Sequence, residues 1–371
     1  LKPQVLGAVI SGRLDGIQIL RFVAALLVLV QHAVFLPSIS YSLDVMPFRR
    51  MALGTAGVFI FFVISGYVIA RLIDQPPLRF ALHRALRIYI PYTIAVLLGL
   101  WIMVATGKLN ADAIVWRWSY TLLPLGGGVD SFSQVPFWTL IYEMLFYLVT
   151  FGLMFGGRKA FDIGIVLWAI LIVGLNLYTP YAKPVVNANW WALLTSPICL
   201  LFIAGASLSR FHQGTTWPMA AIALIVFFPM FWRPSGLVQS YMNFGVGAVA
   251  ATHFAVVASG WVSKRKWTIP LVRGGDWSYG LYLLHAPIIA GLLAAIKFPS
   301  LMSYWLACAV MILAGGAGAL SFGWLEFWFY NSVARPWADK FFKRASQKYC
   351  PPEADAPALS PGKYVAPAPP V

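Results

Sequence analysis

The chain has 371 residues, of which 60% are hydrophobic and only 11% charged, a balance that excludes an ordinary soluble domain and fits a polytopic membrane protein. Its formal charge of +15 is not a nucleic-acid footprint, because the basic residues stand between apolar runs, where cytoplasmic loops and anionic headgroups account for them. Cys199, Cys308 and Cys350 are scattered and odd in number, which indicates neither a disulfide framework nor a metal site.

A window of about 20 residues finds apolar segments long enough to cross a bilayer. They fall at 17–36, 52–73, 86–105, 134–155, 161–178, 190–209, 217–232, 236–260, 277–296 and 302–334. The expected fold is therefore an all-α polytopic membrane protein of about ten transmembrane helices. With the N-terminus in the cytoplasm, nineteen of the 27 Lys and Arg residues fall on cytoplasmic segments and seven outside, with Arg21 embedded. That asymmetry supports an even number of spans and both termini inside. The division is a segment 1–16, a transmembrane domain 17–335 and a tail 336–371 that is first basic and then rich in Pro and Ala, reading as disordered.

The first span is not a cleavable signal, being of spanning length, without a small-residue cleavage site and interrupted by Arg21 and His32. Eleven helical steps are about three turns plus 20°, so these two side chains share a face roughly 16 Å apart. An ionisable group within a span costs roughly 2.5–3.5 kcal/mol for Arg at the helix centre, and such groups mark function when they face a polar interior. The competing reading is a snorkelling Arg and a His satisfied by a neighbouring helix.

The second span holds Ser65-Gly66 within Phe61 to Tyr67, a small pair that more often means close packing than chemistry. The next loop enters its helix as His83-Arg84-Ala85-Leu86-Arg87-Ile88-Tyr89-Ile90-Pro91-Tyr92. Arg84 and Arg87 lie one turn apart, either as a phosphate clamp or as ordinary cytoplasmic decoration. A short apolar stretch at 113–125 suits an interfacial or re-entrant position. It ends in Gly126-Gly127-Gly128 without a following Gly-Lys-Ser/Thr, so it is no phosphate loop.

The fourth span carries Trp138, Tyr142 and Tyr147 around the single carboxylate Glu143, which must pair or take up a proton. By residue count His32 lies about 6 Å and Glu143 about 13 Å from the outer ends of their spans, so a His32–Glu143 contact is geometrically possible. In the ninth span Ser278, Tyr282 and His285 fall near one stripe; His285 either takes part in function or bonds helices together. The final span is long, with a kink or interfacial section expected at Gly315-Gly316.

Taken in order, these pieces are similar to the acyltransferase family 3 integral membrane proteins, among them the exopolysaccharide O-acetyltransferases of the ExoZ type. The resemblance rests on Arg21 with ten residues before His32, on Phe61 to Tyr67, on the Arg84/Arg87-Ile-x-Pro-x-Tyr entry, on Trp138 to Tyr147, and on Ser278 to Pro287. It covers about 17–335. The chain departs from the pattern at His83, where a further Arg is common, at Thr139 in place of Ser, and after Glu326, where a Pro is missing two positions on.

The resemblance implies transfer of an acyl group, usually acetyl from acetyl-CoA, onto a hydroxyl of a cell-surface carbohydrate or a lipid-linked oligosaccharide, in the bacterial cytoplasmic membrane. It implies that Arg84 and Arg87, with Arg21, Arg71 and Arg273, hold the CoA phosphates. His32 would be general base, supported by Glu143, or would carry the acyl group itself. The thioester is already activated, so no metal is called for. Two other classes stay open: a proton-coupled transporter or flippase, although no paired interrupted helices are seen in the two halves, and a non-catalytic scaffold, against which the embedded charges argue.

Overall fold

The computed structural model describes residues 13–109, 118–124, 135–136, 138–178, 190–232, 236–295 and 303–349, with backbone alone for 118–119, 177–178, 228–232, 236–243 and 343–349. Among the described residues every regular element is helical. The helices are α1 (Asp15–Ser40), α2 (Met46–Arg50), α3 (Leu53–Ala70), α4 (Pro77–Ala105), α5 (Trp138–Met154), α6 (Gly157–Tyr178) and α7 (Trp190–Leu194). They continue as α8 (Cys199–His212), α9 (Trp217–Trp232), α10 (Gly236–Val262), α11 (Ile269–Ala295), α12 (Tyr304–Val310), α13 (Gly316–Phe329) and α14 (Arg335–Tyr349).

In their described residues the segments expected from hydropathy lie mainly on helices. Eight helical stretches are long and apolar enough to cross a membrane, and two more apolar helices, Trp138–Met154 and Trp217–Phe227, are shorter. The chain is thus a polytopic helical membrane protein. In lipid every backbone N–H and C=O must be satisfied within the protein, which is why helices carry the whole described structure.

Lipid is as apolar as the helices, so close approach and polar contacts hold the bundle together. Helix α1 packs between α11 and α3, α3 packs on α8, and α11 on α13. The α3–α8 crossing is possible because Gly66 and Gly205 face each other's backbones. A Cβ on Gly66 would stand 2.0 Å from the Phe202 carbonyl oxygen, and one on Gly205 would meet that of Val63 at the same distance. The small pair read as packing therefore packs, while its neighbour Ser65 turns the other way. Arg210 on α8 and Asp162 on α6 form a buried ion pair at 2.7 Å, and Arg13 reaches Asp276 of α11 at 2.8 Å.

The 118–124 segment is fastened to α4. Its 3₁₀ turn, Trp118–Thr121, is tied to the middle of α4, where the Tyr89 hydroxyl donates to the Thr121 carbonyl at 2.7 Å and the Tyr92 hydroxyl to that of Tyr120 at 3.2 Å. Leu122 and Val135 are buried. The remainder of the expected 113–125 stretch lies outside the described residues.

The last span is broken twice by π-helical turns, Met311–Gly315 and Tyr330–Ala334, so the irregularity near Gly315-Gly316 is a local widening of the helix. The basic stretch after 335, read from sequence as the start of a disordered tail, is helical to Tyr349. Its Asp339 accepts from Arg79 of α4 at 2.7 Å. Between α3 and α4, Arg158 donates two hydrogen bonds to Asp74, which hold that exposed carboxyl below its ordinary value.

Candidate active site

Five helices converge on a cavity of about 120 Å³. Helix α1 contributes Arg21, α3 Phe61 and Ser65, α4 Arg84 and Arg87, α5 Thr139, Glu143 and Tyr147, and α11 Tyr279 and Tyr282. Arg21 reaches it because α1 buries small residues such as Ala24 and Ala25 against its neighbours, leaving a longer side chain one turn earlier on the polar side. Arg84 and Arg87, at the expected i, i+3 spacing, both point in.

Each arginine is held differently. Arg87 donates to Glu326 of α13 at 2.6 Å, and its guanidinium lies 5.6 Å from the Tyr279 ring centroid and 5.0 Å from that of Tyr330. Arg84 lies over Phe80 and Tyr147 at 5.8 and 5.7 Å, and its buried Nε has no hydrogen-bond partner among the described residues. Glu143 accepts from Ser65 at 3.3 Å and from the Tyr147 hydroxyl. Three guanidiniums thus face two carboxylates, Glu143 and Glu326. The imbalance leaves a positive field in a low-dielectric enclosure, a setting that suits an anionic ligand.

A second polar centre lies on the same helices. His32 Nδ1 is 2.9 Å from the Val28 carbonyl oxygen and 3.2 Å from His285 Nε2, and His285 Nδ1 is 3.1 Å from the Leu281 carbonyl oxygen. The rings meet edge to face, 4.9 Å between centroids. His285 is fully buried whereas His32 is partly open. Nearby, Gln31 fastens the α1–α3 connection by bonding the Phe48 carbonyl and the Leu53 N–H.

Tyr282 bridges the two centres. It lines the cavity, its hydroxyl shares a 2.7 Å hydrogen bond with Thr139, and its ring stands 6.1 Å from His285 and 5.5 Å from Phe61.

Of the residues singled out from sequence, Arg21, Ser65, Arg84, Arg87, Glu143 and Tyr282 meet at the cavity, and His32 meets His285. The His32–Glu143 contact that residue counting allows is not formed among the described residues: each makes its hydrogen bonds elsewhere. Glu143 instead lines the cavity with Arg21, Arg84 and Arg87. Arg71 and Arg273 do not line the cavity, and Arg273 is exposed. Ser278 hydrogen-bonds the Gly275 carbonyl within its own helix. Tyr142 contacts Ser196 and the rings of Phe62 and Trp138, so Trp138 and Tyr142 brace α5 from behind. Sequence reasoning met Glu326, Tyr147 and Tyr279 within its motifs but assigned none of them to the site. For Glu326 the signal was present, a carboxylate inside an apolar span like Glu143.

Fold and site define an integral membrane protein with a cationic cavity and a histidine pair inside its helical bundle. A family model described as acyltransferase domain, that of the acyltransferase 3 family, matches residues 14–331, and the chain belongs to this family. It is 29% identical over 294 residues to the exopolysaccharide production protein ExoZ of Rhizobium meliloti (strain 1021), covering 68% of this chain and 84% of that protein. It is 23% identical over 319 residues to nodulation protein 10 of Rhizobium leguminosarum bv. viciae, covering 76% and 85%. No solved structure matches.

Proposed function

We propose that the protein moves an acetyl or other short acyl group from acyl-CoA, bound from the cytoplasm, to a hydroxyl of an exopolysaccharide or related cell-surface carbohydrate, in the bacterial cytoplasmic membrane. The observation that carries this reading is the link, through Tyr282 and the buried His285, between an arginine-lined cavity and the partly open His32. The name of the Rhizobium meliloti relative, an exopolysaccharide production protein, supports the carbohydrate as acceptor.

In this account Arg21, Arg84 and Arg87 bind the anionic part of the donor. The thioester end then extends past Tyr282 toward His32. As general base, His32 takes the proton of the acceptor hydroxyl while its oxygen attacks the thioester carbonyl; the C–S bond breaks and the thiolate leaves, to be protonated by the histidinium. As carrier, His32 attacks first and the thiolate leaves; the acceptor hydroxyl then attacks the acyl carbon, the C–N bond to the ring breaks to return neutral His32, and the hydroxyl proton passes to the thiolate. Glu143, held by Ser65 and Tyr147, lines the same cavity as Arg21 and Arg84 and offsets part of their charge.

The test is reconstitution. Purified protein in proteoliposomes, given radiolabelled acetyl-CoA and exopolysaccharide oligosaccharides, should yield alkali-labile label on the carbohydrate. Carbohydrate that stays unlabelled while the vesicles accumulate a solute would replace this reading with a transporter.

A further inference from the structure

We propose that His285 is a positioning residue that holds His32 as its Nδ1–H tautomer and thereby makes Nε2 of His32 the reactive nitrogen; this rests on the acyltransferase reading above. The tautomers follow from which atoms can only accept. A backbone carbonyl never donates, and each ring's Nδ1 faces one: Val28 for His32 at 2.9 Å and Leu281 for His285 at 3.1 Å. Both Nδ1 atoms therefore carry protons, since a lone pair there would oppose a carbonyl lone pair at contact distance.

A neutral His285 protonated at Nδ1 has its lone pair on Nε2, and that atom lies 3.2 Å from His32 Nδ1. The His32 N–H is thus shared between the Val28 carbonyl and His285 Nε2, and every polar contact of the pair is satisfied. What remains is His32 Nε2, unprotonated and without a hydrogen-bond partner among the described residues, on a ring that is partly open while His285 is fully buried.

When His32 Nε2 takes a proton or an acyl group its ring becomes cationic. The Nδ1–H is already aimed at two acceptors, so the charge is met by groups in place, without rotation of either ring. In hydrolytic triads a carboxylate orients the base and stabilises the imidazolium. Here a neutral imidazole does so at no cost of a buried anion. Its position is set by helix packing: α11 lies against α1 closely enough that a Cβ on Gly275 would stand 2.0 Å from the Gln18 carbonyl oxygen.

The experiment reads the tautomer directly. Full-length protein with ring-¹⁵N histidine in nanodiscs, with His32→Gln used to assign the resonance, should show His32 protonated at Nδ1 and unprotonated at Nε2 at neutral pH. Protonation of Nε2 would overturn the proposal whether or not the protein proves to be an acyltransferase. In His285→Leu the His32 signals should move to a tautomer mixture and kcat should fall roughly 10- to 100-fold with donor KM little changed, the size expected when an orienting partner is lost. His285→Gln, whose amide oxygen can accept from His32, should recover most of that loss. Equal losses in Leu and Gln variants that fold, or wild-type kcat in His285→Leu, would reduce His285 to helix packing. Absence of transfer in the wild type would instead overturn the function while leaving the tautomer readable.

Discussion

Arg87 and Glu326, 239 positions apart in sequence, meet at 2.6 Å inside the bundle, with the guanidinium held between the rings of Tyr279 and Tyr330. The Glu326 side chain is 3% exposed and its second oxygen, Oε2, is buried without a hydrogen-bond partner among the described residues. Breaking such a pair from one side leaves a buried charge uncompensated, at about 3–5 kcal/mol. Glu326→Ala should therefore lower the thermal midpoint by several degrees and weaken CoA binding. Glu326→Gln, which can still accept from Arg87, should do less of both. Thermal unfolding in detergent and calorimetric titration with CoA check this; identical behaviour of the two variants would contradict it.

The donor clamp should show its charge. Arg84→Ala should weaken CoA binding, and the gap between variant and wild type should narrow as salt rises, because part of the contribution is screened Coulomb attraction. Titrations at low and high ionic strength measure it. A gap that ignores salt would assign Arg84 to packing over Phe80 and Tyr147.

Small residues at helix crossings should resist enlargement. At Gly66 a new Cβ would sit 2.0 Å from the Phe202 carbonyl oxygen, and backbone cannot swing aside as a flexible side chain does. Gly66→Ala should cost about 1–3 kcal/mol or more and reduce the yield of monodisperse protein. Gly174→Ala on α6, where an added Cβ meets nothing, should be neutral.

Two ion pairs that look alike in sequence should behave differently. Asp162→Asn strips the buried Arg210 of its partner and should cost about 3–5 kcal/mol. Asp74→Asn breaks a pair whose side chains are 53% and 62% exposed, and should cost less than about 1 kcal/mol. The Asp74 carboxyl is held below its unfolded value, so its small stabilisation is present above about pH 3.9 and is lost as the pH falls through the lowered folded value. Thermal midpoints at pH 7 and in mild acid compare the two variants.

The spans and embedded charges were legible in sequence because lipid imposes length and apolarity segment by segment. Arg21, Arg84 and Arg87 could be grouped because all three sit near helix ends on one side. Pairings across helices could not be read, since they depend on how far each helix is rotated and where it starts. Glu143 illustrates the first point: counting residues leaves a contact with His32 possible, but the carboxylate is turned to Ser65 and Tyr147 at the arginine-lined cavity. His285 does so as well, because only the close α1–α11 packing turns it toward His32. Glu326 carried a readable signal, obscured by the missing Pro that would have placed it in a familiar pattern.

The most direct test of the account is single-turnover transfer from radiolabelled acetyl-CoA to exopolysaccharide oligosaccharide by wild type and His32→Ala, both shown to be folded and to bind CoA. Loss of the chemical step by roughly 10²-fold or more, with CoA affinity retained, is the result the account predicts. Transfer by His32→Ala within a few-fold of wild type would contradict it.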